Sequence, residues 1–182
     1  MVTIYEQKLT NLQQEIVRLL FVKAGNSLNA HTISVLLEVS QPAVSKALPL
    51  LEKEKLITVK RDIDSGRLSI RLHTENHYTI WLKRADNIKQ LYESGLVQKL
   101  YDSFQTAAII LFGSYSFGED VSGSDIDFAI VGSKEKKIDM SSFEKQLERI
   151  ISFHYFKEFA SIPRQLLCNI CNGITLKGAI SV

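Results

Sequence analysis

Residues 107–131 read AAIILFGSYSFGEDVSGSDIDFAIV. One apolar run, Ala107 to Phe112, stops at Gly113-Ser114, and a second begins at Ile126 with an acid on either side, Asp125 and Asp127. Short β-rich apolar runs bounded by turn residues predict buried strands. Alternation along the second strand puts Asp125 and Asp127 on one face, about 7 Å apart. Two carboxylates so placed repel unless something compensates for their charge, and a divalent cation with oxygen ligands does so. Gly113 permits close approach of backbone to a ligand, and Ser114 offers a hydroxyl to a phosphate oxygen. A helix starting at Ser114 would add free N–H groups. Glu119 and Asp120 fall in the connecting loop, where solvated acids are the ordinary state.

Downstream, Phe143, Leu147 and Ile150 predict one apolar face of a helix over 141–151, followed by a third strand, Ile151 to Phe156. Ser152 and His154 share the face that looks toward the acids. No Asp or Glu stands in that strand, and Glu158, of the same parity, lies two residues beyond it. His154 is a candidate ligand or proton acceptor, since imidazole titrates near neutral pH. Lys134, Lys136 and Lys137 read as a solvated turn, with steering of a nucleotide or nucleic acid the other reading. Cys168 and Cys171 lack the second pair that a four-cysteine zinc site needs, so they read as helical packing residues.

The first half has a different grammar. Leu9, Leu12, Ile16, Leu19 and Leu20 predict one helix; Ile33, Leu36 and Leu37 turn inward from a second. Ser40 caps a third helix with Pro42 in its first turn. There Val44, Ala47, Leu48 and Leu51 face the core, and Gln41, Ser45, Lys46 and Glu52 face away. Pro49 removes a backbone hydrogen bond to Ser45 and is expected to bend this helix. Residues 56–60 and 68–72 then alternate with period two around Asp64-Ser65-Gly66, a hairpin with Lys60, Arg67, Ser69 and Arg71 on its solvent face. Between the halves, Trp81, Leu82, Ala85, Ile88, Leu91 and Tyr92 fall at helical spacing up to Gly95, with Lys83, Arg84 and Lys89 read as its solvated face.

The 182 residues carry 22 Lys and Arg against 20 Asp and Glu, a net +2, too near neutral to coat nucleic acid by charge alone. Any nucleic-acid contact is therefore local. A hydrophobic fraction of 45% with 9 Gly and 3 Pro excludes a disordered or low-complexity chain. No apolar run reaches the roughly 18 residues of a membrane span, and MVTIYEQKLTNLQQ lacks the basic-then-apolar order of a leader. The chain reads as cytoplasmic, with no membrane partner.

Three helices and a hairpin, with SQPAVSKALPLLEKEKLI at their centre, resemble the winged helix-turn-helix domain of bacterial and archaeal transcription regulators. The resemblance covers residues 8–75. It implies that Gln41, Ser45 and Lys46 meet base edges of double-stranded DNA and that Lys60, Arg67 and Arg71 meet phosphates. It also implies a homodimer. Winged helices serve as dimerisation or docking modules too, and residues 1–75 hold only ten Lys and Arg against eight Asp and Glu.

The second half, GSYSFGEDVSGSDID with Gly-Ser, ten residues and Asp-x-Asp, resembles the minimal nucleotidyltransferases of the DNA polymerase beta superfamily over residues 94–180. The resemblance implies that Gly113, Ser114, Gly118 and Ser124 bind a nucleoside triphosphate. Asp125 and Asp127 would bind Mg2+ and, with His154, form the catalytic set. An acceptor hydroxyl would attack the α-phosphate and release pyrophosphate. Active relatives carry a third carboxylate on the third strand, which leaves nucleotide sensing without transfer as the alternative. Minimal nucleotidyltransferases also pair with small helical partner proteins. The expected architecture is an α/β protein of α+β type: a winged helix over 1–76, a helical linker over 77–94, and a nucleotidyltransferase-like mixed sheet flanked by helices over 95–182.

Overall fold

A computed structural model describes residues 9–61, 66 and 68–180. The chain divides into two compact units, Met1–Thr79 and Ile80–Val182.

The N-terminal unit contains α1 (Asn11–Val22), α2 (Ala30–Leu36), α3 (Gln41–Lys53), β1 (Ile57–Arg61) and β2 (Leu68–Leu72). Thr10 and Gln13 cap α1 reciprocally, each side chain accepting the other's backbone N–H. Gln13 lies on the buried face, and its amide donates to the Ala47 carbonyl of α3 (3.3 Å), which satisfies a polar group that burial would otherwise penalise. Ile16, Leu20, Ile33, Val44, Leu51 and Ile70 fill the core. Leu36, expected inward, is 49% exposed at the last position of α2, whose buried residues are Ala30, Ile33 and Ser34.

Ser40 caps α3 by accepting from Ala43 N–H (3.3 Å), and the core and solvent faces of α3 fall where the spacing puts them. The helix continues through Pro49 as one 13-residue element. Since Pro49 is exposed, Pro49→Ala is expected to restore a bond to Ser45 and raise the stability of this unit by about 1–3 kcal/mol. Thermal unfolding checks this; a lowered midpoint would mean that the ring is needed where it stands.

β1 and β2 pair antiparallel with Ile57 opposite Leu72, Val59 opposite Ile70 and Lys60 opposite Ser69. Leu28 adds a two-bond bridge to Ile70, at 2.9 and 2.7 Å. Three helices with this hairpin form a winged helix-turn-helix. Arg67 and most of the hairpin turn lie outside the described residues.

Next come α4 (His77–Glu93), α5 (Leu96–Ser103), β3 (Ala108–Phe112), α6 (Gly113–Phe117), β4 (Ile126–Val131), α7 (Ser141–Leu147), β5 (Ile151–Phe156), α8 (Arg164–Cys171) and β6 (Ile174–Lys177). The sheet order is β5-β4-β3-β6, with β4 and β5 parallel and the other pairs antiparallel. On one face Ile109, Leu111, Phe128 and Ile130 pack with Leu96 and Leu100 of α5; on the other, Ile110, Phe112, Ala129 and Val131 pack with Ile170 of α8. Lys177 and Lys136 donate to the carbonyls of Phe104 and Ser103 at the end of α5, where cations suit the helix dipole. Lys134, Lys136 and Lys137 are all exposed, as a solvated turn requires, and Lys136 makes this one exposed bond from it.

Several expectations fail in this unit. α7 stops at Leu147 because Glu148 turns left-handed, which leaves Ile150 61% exposed instead of on a helix face. Cys168 and Cys171 are both exposed thiols and not packing residues. The largest departure is α4. Trp81 is 66% exposed and Tyr92 is exposed, while Lys83 and Asn87 are buried. Lys83 and Asn87 turn inward to a polar partner, Asp120, while Leu91 of the expected apolar face stays buried and Lys89 stays exposed.

Candidate functional site

The acids emerge from the sheet's own register. On the face that carries Val131 and Ala129, the next inward position along β4 is Asp127, and Asp125 precedes the strand on the same side. β5 runs parallel to β4 with Ser152 beside Asp127 and His154 beside Ala129, so each acid meets a β5 side chain on the diagonal. Ser152 Oγ donates to Asp125 Oδ2 (3.1 Å), and His154 Nε2 lies 3.1 Å from Asp127 Oδ1. A carboxylate only accepts, so Nε2 donates there and Nδ1 is the ring nitrogen that Asp127 leaves uncommitted. The edge of the Phe112 ring holds the imidazole at 5.2 Å between centroids. The sequence-predicted Asp125, Asp127, Ser152 and His154 thus come together, all partly exposed.

Gly113 joins them at the end of β3, where Phe112 pairs with Asp127. Its φ is +73°, and a Cβ there would stand 2.8 Å from Asp127 Oδ2. Only glycine accepts both the left-handed backbone and that proximity. Ser114 follows in the first turn of α6.

Gly118 and Ser124 each have a local structural contact. At Gly118, also left-handed, an added Cβ would lie 2.6 Å from the Ile80 carbonyl oxygen and 2.7 Å from the Arg84 nitrogen, so this glycine lets the chain lie on the backbone of α4. Ser124 Oγ accepts from Val121 N–H (3.0 Å) and closes a turn. Asp120, expected in solvent, is buried: its carboxylate accepts from Lys83, from Asn87 (2.7 Å) and from Arg149 (3.1 Å). Burial depresses the Lys83 pKa below the ordinary lysine value, against the pull of Asp120. Burial, reinforced by the charge of Asp120, pushes the Tyr115 phenol well above its ordinary value. No apolar periodicity could reveal this cluster, because it is built from the polar residues that a hydrophobic pattern discards.

Among the described residues, no set of three or more His, Cys, Asp and Glu side chains could hold a metal ion by itself. The donors present are two carboxylates, a hydroxyl and an imidazole. Magnesium commonly takes one or two carboxylates and completes its shell with water and substrate phosphates, so Asp125 and Asp127 fit an ion that arrives with a triphosphate.

In the N-terminal unit, Gln41, Ser45 and Lys46 are exposed on α3, and Lys60 and Arg71 on the outer face of the hairpin. A groove between the start of α2, α3 and the hairpin is lined by Asn29, His31, Gln41, Ser45, Arg61 and Leu68. A second, along the hairpin, is lined by Thr58, Lys60, Ser69 and Arg71. His31 and Arg61 were not among the residues expected on this surface; the adjacent Lys60-Arg61 pair was the signal for the second of them. No helix among the described residues is long and apolar enough to cross a membrane.

Residues 95–177 match the family model described as polymerase beta, nucleotidyltransferase. No curated protein matches the chain. Among solved structures, a cysteine-to-serine mutant of ZitR from Lactococcus lactis is similar at 22% identity over 57% of this chain and 67% of that one, with a TM-score of 0.42. AdcR, the adhesin competence repressor of Streptococcus pyogenes, is similar at 22% identity over 54% of this chain and 69% of its own, with a TM-score of 0.42. MepR of S. aureus, in a complex with DNA, shares 28% identity over 52% of this chain and 80% of its own, with a TM-score of 0.38.

Proposed function

We propose that the C-terminal unit binds a nucleoside triphosphate as its magnesium complex and passes the nucleotidyl group to a hydroxyl acceptor, while the N-terminal unit holds double-stranded DNA. The observation that carries the reading is the juxtaposition of Asp125 and Asp127 with the Gly113 turn, whose missing Cβ leaves room beside Asp127 Oδ2. Gly113 and Ser114 would receive the triphosphate. Magnesium would screen the charge that builds on the α-phosphate and the leaving pyrophosphate. The acceptor oxygen forms a bond to the α-phosphorus as the bond to pyrophosphate breaks. The acceptor proton passes to His154 Nδ1, whose ring Asp127 orients from the other nitrogen.

A specific feature supports a second reading, nucleotide sensing without transfer. β5, ISFHYF, has no carboxylate, and Ser152 donates to Asp125 from that strand. Magnesium-dependent titration with each nucleoside triphosphate, followed by assay for pyrophosphate, separates the two. Binding with release of pyrophosphate supports transfer, binding alone supports sensing, and no binding removes both.

For the N-terminal unit, Lys60 and Arg71, both exposed on the hairpin, would meet phosphates. The same reading takes a homodimer as the DNA-bound form, because half-sites one turn apart need two recognition helices. It is compatible with a cytoplasmic location and with a small helical partner protein, which co-purification would test. Lys60→Ala with Arg71→Ala is expected to flatten the log–log salt dependence of duplex binding by about 2, close to one for each phosphate no longer neutralised. An unchanged slope would mean the hairpin does not touch DNA.

A further inference from the structure

We infer that Lys83 and Arg149, acting through buried Asp120, are positioning residues for the two-carboxylate site; this rests on the proposal that Asp125 and Asp127 hold a metal–nucleotide. Asp120 stands in the connection between α6 and β4, five residues before Asp125. Lys83 of α4 donates to both its carboxylate and its backbone carbonyl, the latter at 2.8 Å, and Asn87, one turn along α4, donates to the same carboxylate at 2.7 Å. Arg149 reaches the other carboxylate oxygen at 3.1 Å from the segment that enters β5. Just beyond Asp120 and Arg149 the two strands meet: Ile126 N–H donates to the Ile150 carbonyl at 2.8 Å. One buried anion therefore ties together the strand starts that carry Asp125, Asp127, Ser152 and His154.

Stability alone does not call for such a cluster. A buried ion pair is often replaced by apolar residues of similar volume at little or no cost in stability. What apolar packing lacks is direction. The paired bonds from Lys83 to carbonyl and carboxylate fix the rotation of the connection and hence where Asp125 points.

Lys83→Met separates direction from stability, because it keeps the volume, removes a desolvated charge and leaves Asp120 bound to Arg149 and Asn87. The expected result is an unlowered unfolding midpoint, faster amide hydrogen exchange confined to residues 118–127, and magnesium–nucleotide affinity about tenfold weaker, the scale seen when a supporting partner of a metal ligand is lost. Arg149→Met is expected to act likewise, and Arg149→Lys to recover most of the affinity by keeping the cation. If Lys83→Met binds nucleotide as tightly as the wild type, the positioning role is wrong and the cluster only stabilises the fold. If the wild type itself binds no nucleotide, the functional reading of the site fails. The clamp is then decided by exchange alone: acceleration restricted to 118–127 upholds it, and uniform or absent change overturns it.

Discussion

Asp120→Ala is expected to destabilise the C-terminal unit by about 3–5 kcal/mol, the range found when one partner of a buried ion pair is removed. Folding keeps Lys83 and Arg149 almost wholly out of water around this one carboxylate. Truncating it leaves two cations and an amide donor facing a void. Lys83, already held below the ordinary lysine pKa by burial, would lose the carboxylate that opposes that shift and would shed its proton more readily. Domains commonly have only about 5–15 kcal/mol in total, so cations left buried without their anion would cost this unit a large part of its stability. Denaturant unfolding followed by circular dichroism measures the loss. A change below about 1 kcal/mol would mean that the side chains reach water by a small rearrangement, as at an exposed pair.

The double variant Asp125→Asn with Asp127→Asn is expected to lose magnesium-dependent nucleotide binding by at least about a hundredfold, since the loss of a supporting partner alone costs roughly 10–100-fold at metal sites. Asparagine preserves shape and a carbonyl oxygen, so Ser152 and His154 keep acceptors 3.1 Å away and the fold is retained. What disappears is two negative charges at the end of an otherwise apolar strand face. Calorimetric titration with and without magnesium isolates the effect from nucleotide contacts made elsewhere. Equal affinity in wild type and variant would show that these carboxylates are not the ion's ligands, and the transfer and sensing readings would then fall together.

Much of the architecture was legible because burial and secondary structure leave periodic marks. Val44, Ala47, Leu48 and Leu51 recur as a helix requires, and all four are buried. Ile57 and Val59 alternate against Ile70 and Leu72 in the observed register. The gathering of Asp125, Asp127, Ser152 and His154 was legible as well, since parity along two adjacent strands assigns all four to one face. Gly113 was legible as a close-approach residue, although the neighbour that demands it, Asp127 Oδ2, is visible only in three dimensions.

The misplaced residues share one cause, which is that spacing along the chain says nothing of where an element ends or what lies opposite it. Ile150 continues an apolar spacing past the point where α7 stops, and Leu36 occupies the exposed last position of α2. Trp81 and Tyr92 share the apolar face of α4 with Leu91, yet only Leu91 of the three is buried, while Lys83 and Asn87 turn inward to Asp120. Gly118 sits within the phosphate-binding pattern but lets the chain pass close to the backbone of α4.

From its residues alone, this chain determines two units of different type, the strands and helices within them, and which side chains share a sheet face. These are local matters, set by the periodicities of helix and strand, about 3.6 and 2.0 residues. Tertiary structure alone decided that Asp120 would be buried and which cations would surround it. A charge is tolerated inside a protein only where distant residues bring matching donors to it, and the partners of Asp120 lie 29 to 37 positions away along the chain.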